Sequence, residues 1–527
     1  RERVSGDDPP MTQRKARALL SVTDKTGIVD FAYSLKSLGY DILAFGATAA
    51  TLRQAEVELA EPDASPSGTH GASGPLSWLN PSILAGIAAD RADPVRMGEL
   101  DRLGIAPLDI VAINLYPVAD IISDPALSQA EIMDYIDVAG SALLRAAARN
   151  FRHVVCLCDP DDYQPVLESL RQYKQLRPER RQSLAAKAFH YSAYYDTTVA
   201  QYLGDRWDKL PDEFAVGLKK TADFRYGENP QQQGSLYTLS GARPWGINSA
   251  NLVWGKPLSY NHYLDLEIAW ALATDVQDAA CAVVKHAVPA GAAAAEKLSE
   301  AARAAYRCDP RGADRGTAAV NREVDEETAV FFAEEYVGLI AAPQFSPKAF
   351  SILKTKKDIR LVTLPSILVS AHELDLRSVA GGVLVQSRDN QPFGTEIKTV
   401  SKRAPNELEM KSLKLAWLTA KECRTHAAVI CRDSATIGIG SGQTARLDAL
   451  RLALVKSQER HPILSAGLPL VLASDGSLSA EHVSEAAQAG ISAIIEPGGT
   501  SEDKDAIAAA DERGLTLLFT GVRHFRH

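Results

Sequence analysis

A multidomain α/β fold is predicted by three features of this sequence. Short apolar runs that read as strands alternate with amphipathic runs that read as helices along most of the chain. The links between them are brief and rich in Gly, Asp, Ser and Thr, the chemistry of βα turns. At 527 residues the chain has room for about two to four such domains.

Residues 1–16 are polar and are expected to be a disordered leader, with Met11 as a natural start. ALLSV (18–22) then reads as a strand, TDKTG as a loop, IVDFAYSLKSLG as a helix, YDILAF as a strand and GATAA as the next helix start. LDIVAINLYP, SALLRAAARN, HVVCLC and DPDDYQPVLESL continue the pattern, with Asp159 or Asp161 suited to cap the last helix. Residues 60–76 are rich in Pro, Gly, Ser and Ala and read as a long surface loop. This α/β domain is expected over 17–205, followed by regions 206–370 and 371–527. The middle region holds FRYGENPQQ (224–232), CAVVKH (281–286) and PAGAAAAEKLSEAARAAYR (289–307), the last read as an Ala-rich helix. The final region alternates again: AAVICRD, ATIGIGSG, RLDALRLALVKSQ, LPLVLASDG, EHVSEAAQAG, ISAIIEPGG, EDKDAIAAADERG and LTLLFTG.

Composition narrows the function. Hydrophobic residues make up 46% and charged residues 23%, the balance of a soluble globular protein. A net charge of -9 argues against nucleic-acid partners, which require a basic surface. No apolar window reaches the roughly 18 residues of a membrane span, and no signal peptide is visible, so a reduced cytoplasmic setting is expected. The 6 Cys lie at 156, 158, 281, 308, 423 and 431 with no CxxC, so no metal site is expected.

The candidate chemistry lies at strand ends. Lys285-His286 follows a buried strand and offers a proton acceptor beside a fixed positive charge, which suits acyl or formyl transfer to a weak amine. Taken alone, the pair is explained more simply by a surface Lys beside a hydrogen-bonded His. SVTDKTG, FGATAA, IGIGSGQTAR and EPGGT could hold anions on backbone N–H groups, with Lys25, Thr26 and Thr48 nearby, or be ordinary tight turns. RYGENP gathers Arg225, Tyr226 and Asn229 in a turn, as an anion clamp or a capped loop. The C-terminal RHFRH reads as a frayed end or as a segment tied down by LTLLFTG.

Taken in order, SVTDKTG, INLYP, RAAARN, RYGENPQQ, LSYNHY, VKHAVPAG, NREVDEETA, TIGIGSGQTAR, IIEPGGT and TGVRHFRH resemble the bifunctional AICAR transformylase/IMP cyclohydrolase family of purine biosynthesis over about residues 17–527. The resemblance implies a methylglyoxal-synthase-like doubly wound N-terminal domain and two cytidine-deaminase-like α/β subdomains. It implies 10-formyltetrahydrofolate as co-substrate, a small ribotide or amine substrate and a homodimer, with no nucleic acid and no membrane partner. Lys285 and His286 become the catalytic pair. Arg225, Tyr226, Ser259, Asn261, Gly316, His426, Arg446 and His527 fall near the ribotide, and Asp475, Pro497 and Gly498 on the folate side. Lys25, Thr26, Thr48, Tyr116, Asp137 and Arg149 mark the cyclohydrolase-like site.

The departures carry as much information. The family's DGRVKTLHPKIHGGIL corresponds to SGPLSWLNPSILAGIA (73–88), in which Pro75, Ser77, Asn80, Ser82 and Leu84 replace an Arg, two Lys and two His. Arg149 replaces a catalytic Lys. Loss of one such group costs roughly 10²–10³-fold, so ring closure is expected to be lost. In the transformylase half Val288 and Ala290 replace an amide and a thiol, Asp314 and Arg315 are new, and His426 stands for an active-site Asn. SDGSLSA (474–480) lacks the aromatics of the family's folate wall. The expected function is formyl transfer to AICAR or a related amine. An intact bifunctional enzyme and a non-catalytic nucleotide-binding paralogue are the alternatives.

Overall fold

A computed structural model describes residues 14–61, 79–204, 210–240, 246–365, 374–461 and 467–527. The chain forms two compact units, residues 1–219 with 238–243, and residues 220–237 with 244–527. The mixed α/β class expected from the sequence is what the chain adopts. No helix among the described residues is long and apolar enough to cross a membrane.

The first unit is built on a parallel sheet of Asp41–Ala44, Arg17–Val22, Ile110–Asn114 and Val155–Leu157, in that spatial order. Leu19, Leu20, Ile42 and Val111 have no exposure. Strands buried on both faces read as continuous apolar runs, which is why ALLSV and DIVAIN were legible. Part of the expected leader belongs to this unit: Arg14 pairs with Asp109 at 2.6 Å and donates to Pro107 O at 2.7 Å. Residues 1–13, and the loop expected at 60–76 from position 62 onward, lie outside the described residues. Asp159 accepts from the Asp161 amide at 3.0 Å, so it starts a 3₁₀ turn ahead of the Tyr163–Tyr173 helix and does not cap that helix itself.

The second unit contains a 12-stranded sheet made of two similar halves. Each half runs helix, hairpin, helix, then three mutually parallel strands with helices between them. The first half uses Tyr260–Thr274, Ala279–Lys285 with Val288–Ala295, Leu298–Cys308, then Thr317–Val320, Leu339–Ala342 and Arg360–Thr363. The second uses Glu407–Glu422, Ala428–Arg432 with Ala435–Gly440, Arg446–Arg460, then Leu470–Ser474, Ile491–Glu496 and Thr516–Phe519. The halves join where Ala435 pairs antiparallel with Ala293.

One expectation is overturned here. The alanine run after His286 is a strand, Val288–Ala295, and the helix begins only at Leu298. Helix propensity favours alanine, but packing decides. A Cβ at Gly291 would sit 2.1 Å from the Ala305 carbonyl oxygen, so small residues are what let this strand lie against the following helix.

Candidate active site

The Ala279–Lys285 strand delivers Lys285 and His286 to a two-residue turn. His286 and Ala287 both adopt left-handed backbone, φ 55° and 58°. Asp433 and Ser434 repeat that geometry in the other half, at φ 48° and 55°. In each half the preceding helix holds the second amide of the turn. Ala287 N donates to Asp265 Oδ1 at 2.7 Å, and Ser434 N to Ser412 Oγ at 2.9 Å. Burial raises the Asp265 carboxyl, while its bonds to the turn and the charges of His286 and Lys285 oppose that. His286 is exposed and Lys285 half-buried, its Nζ donating to Asp314 O at 2.5 Å. Gly316 fits beside this strand because any Cβ there would sit 3.0 Å from Val284 O.

Asn261 lies one turn before Asp265 on the same helix. Its Nδ2 donates to Glu228 O at 3.3 Å, which brings the RYGENP turn to this helix. Within that turn Arg225 is exposed and Tyr226 half-buried. Ser259 has a local task. Its amide and hydroxyl donate to His262 Nδ1 at 3.0 and 2.6 Å, and burial pushes His262 down to about 4, leaving a neutral acceptor.

A second cluster gathers around His426. Arg446 Nη2 donates to His426 Nδ1 at 2.9 Å, and Arg446 Nη1 donates to Asp475 Oδ1 at 2.9 Å. Asp475 is fully buried and also accepts from the Ala427 amide at 3.0 Å and from Thr425 Oγ1. Phe525 packs edge-on against His426 and His527, with ring centroids 5.9 and 6.1 Å away. The His527 carbonyl oxygen accepts from Arg424 and from Arg377, the latter at 3.0 Å, so the C-terminal segment is tied down. Sheet register puts this cluster on the same edge as Lys285. Ala435–Gly440 runs antiparallel to Val288–Ala295 from the Ala435–Ala293 pair, and Ala428 pairs with Gly440. Three interstrand spacings, about 14 Å, separate the Ala279–Lys285 and Ala428–Arg432 strands.

The expected folate-side residues are largely internal. Asp475 spends its carboxylate on Thr425, Ala427 and Arg446. Pro497 is buried, and a Cβ at left-handed Gly498 would sit 2.5 Å from the Phe519 ring. Next to these turns, Glu496 at the end of its strand and His482 in the Ala480–Gln488 helix each carry a buried polar atom without a hydrogen-bond partner, Oε1 and Nε2.

In the first unit, Asn114 Oδ1 accepts from the Thr23 and Asp24 amides at 2.6 and 2.9 Å, shaping the loop that bears Lys25 and exposed Thr26. Thr48 Oγ1 is buried in a reciprocal pair with Val22, both bonds 2.9 Å. Two tyrosines one turn apart on the Pro178–Leu203 helix, Tyr191 and Tyr195, accept from the Leu115 and Asp137 amides at 2.9 Å, so one helix anchors the segments that bear exposed Tyr116 and buried Asp137. Arg149 does not join them. Asp137 caps the start of Val138–Arg149 and Arg149 ends it, about 18 Å away along the axis. Among the substituted positions, Asn80 caps the Pro81–Ala88 helix by accepting from Ser82 N at 2.8 Å, Ser82 is buried and Leu84 is exposed. Pro75 and Ser77 lie outside the described residues. Among the described residues no group of three or more His, Cys, Asp or Glu could hold a metal ion.

Asp265, Asn114, Tyr191 and Tyr195 carry positioning roles that no local pattern announces.

Comparison with known proteins identifies the family. A family model described as AICARFT/IMPCHase bienzyme matches residues 147–456. The chain is 42% identical over 524 residues to the bifunctional purine biosynthesis protein PurH of Chloroflexus aurantiacus, covering 98% of this chain and 99% of that one. It is 38% identical over 518 residues to PurH of Persephonella marina, covering 97% and 99%. For PurH of Bacillus subtilis the identity is 36% over 513 residues, covering 97% and 99%.

Proposed function

The chain belongs to the AICARFT/IMPCHase bienzyme family, and from that premise we propose that it transfers a formyl group to AICAR or a related amine, acts as a homodimer, and has lost ring closure. The observation that carries this reading is the Lys285-His286 turn, which presents an exposed imidazole beside a cation and is held by Asp265. 10-Formyltetrahydrofolate supplies the one-carbon unit as an N-formyl group. His286 takes the proton that the acceptor amine loses as its new C–N bond forms, and returns it to the tetrahydrofolate nitrogen as the bond between that nitrogen and the formyl carbon breaks. Lys285 places positive charge where the formyl oxygen becomes negative. Asn261, Gly316, Arg225 and Tyr226 line the ribotide side, and Arg446 and His426 close it from the other half of the sheet. The turns after Leu470–Ser474 and Ile491–Glu496 hold the folate heterocycle, with Glu496 Oε1 and His482 Nε2 as polar partners.

Loss of ring closure is supported by what replaced the cationic loop. Asn80 caps a helix, Ser82 is buried in that helix, and Leu84 has no charge to offer. Arg149 retains charge but gives up a proton far less readily than a lysine. Incubation with 10-formyltetrahydrofolate and AICAR separates the readings. Release of tetrahydrofolate with accumulating formyl-AICAR supports the proposal. IMP formation supports an intact bifunctional enzyme, the activity that the relatives' names describe. Binding without turnover supports a non-catalytic paralogue.

A further inference from the structure

His426 is set differently from the other groups on this edge. A guanidinium only donates hydrogen bonds, so the 2.9 Å contact from Arg446 Nη2 requires His426 Nδ1 to accept. A neutral imidazole with an accepting Nδ1 carries its proton on Nε2. Arg446 is itself fixed, because its other nitrogen bonds Asp475 Oδ1 at 2.9 Å and Ser474 Oγ at 3.0 Å, and both partners are fully buried. The charged and titratable groups facing His426 are Arg446, Asp475 and His527, with the Phe525 ring edge-on. Burial and Arg446 lower the pKa of His426, which keeps the ring uncharged at neutral pH. The asparagine that the family resemblance places here would offer both an N–H and a carbonyl oxygen. This histidine offers only an N–H.

We propose that His426 is a specificity-determining residue, locked by Arg446 as an Nε2–H donor, which selects an acceptor substrate bearing an oxygen at that point and rejects one presenting an N–H. The identity of the ligand rests on the formyl-transfer reading, whereas the tautomer does not. The test has two parts. Nitrogen-15 NMR of the imidazoles in the full-length protein, with His426 assigned through His426→Gln, reads the tautomer at neutral pH. Calorimetry with AICAR, and with the same ribotide lacking its carboxamide, reads selection in wild type, His426→Gln and His426→Leu. The expected result is a neutral Nε2–H ring. A glutamine amide can replace that donor, so His426→Gln binds AICAR within about threefold, while His426→Leu loses about ten- to a hundredfold. Removing the carboxamide costs wild type a similar factor and costs His426→Leu little. An Nδ1–H or imidazolium ring, or equal AICAR binding by His426→Leu and wild type, overturns the inference. Should wild type not bind AICAR, the same binding comparison is made with an aromatic amine that supports tetrahydrofolate release; if none does, the formyl-transfer reading fails and the substrate-selection part of this inference falls with it.

Discussion

Asp265 Oδ1 accepts a 2.7 Å hydrogen bond from the Ala287 amide, so one helix carboxylate fixes the turn that presents His286. The related half of the sheet keeps the device and changes the chemistry. Ser412 holds Ser434 there, and Arg432-Asp433 stands where Lys285-His286 does. The hairpin is therefore architecture, and the pair placed on it is the specialised part.

Asp265→Ala leaves the turn amide without its partner. It is expected to lower turnover and to cost about 1–2 kcal/mol of stability. Asp265→Asn keeps an accepting Oδ1 and should stay near wild type in both. Rates and urea midpoints of the two variants provide the check, and full turnover in Asp265→Ala would show that the turn needs no anchor.

Gly291→Ala puts a Cβ 2.1 Å from a backbone oxygen of the neighbouring helix, which cannot move without shifting that helix. A loss of about 1–3 kcal/mol is expected. Gly382→Ala is the control, because its nearest neighbour would be a Val379 methyl at 3.9 Å. Urea denaturation of both variants tests the packing account of this strand, and equal stability would remove it.

Burial raises the Glu496 carboxyl from 4.5 to about 8. The folded chain thus holds a proton that the unfolded chain releases. Its contribution to stability is full below pH 4.5 and is lost as pH rises toward 8. Glu496→Gln removes this dependence, so its stability relative to wild type should be greater at pH 8 than at pH 5, by at least about 1 kcal/mol. An identical difference at both pH values would mean that Glu496 is ionised in the folded protein.

The alternation of the last third was legible because its strands are short, continuous apolar runs separated by Gly-marked turns, as in ISAIIEPGG and LTLLFTG. The Val288–Ala295 strand was not, because alanine suits a helix and only contact with Ala305 says otherwise. The Lys285-His286 turn could be found from its residues, but its anchor Asp265, 22 positions away, could not. Asp475 shows the same limit. Its motif marks it as part of the site, whereas its partners Thr425, Ala427 and Arg446 make it a brace for that site. The family resemblance groups Arg149 with Asp137 at one site, yet the length of the helix that Asp137 caps and Arg149 ends keeps them apart.

The most direct measurement is tetrahydrofolate release when wild type and His286→Gly are each mixed with 10-formyltetrahydrofolate and AICAR. Glycine accepts the φ of 55° found at this position, so the turn survives while the imidazole is removed. The account predicts release by wild type and a rate lower by about 10²–10⁴-fold in the variant, with folding unchanged. Equal rates in the two proteins, or no release by wild type with AICAR and a panel of aromatic amines, would contradict it.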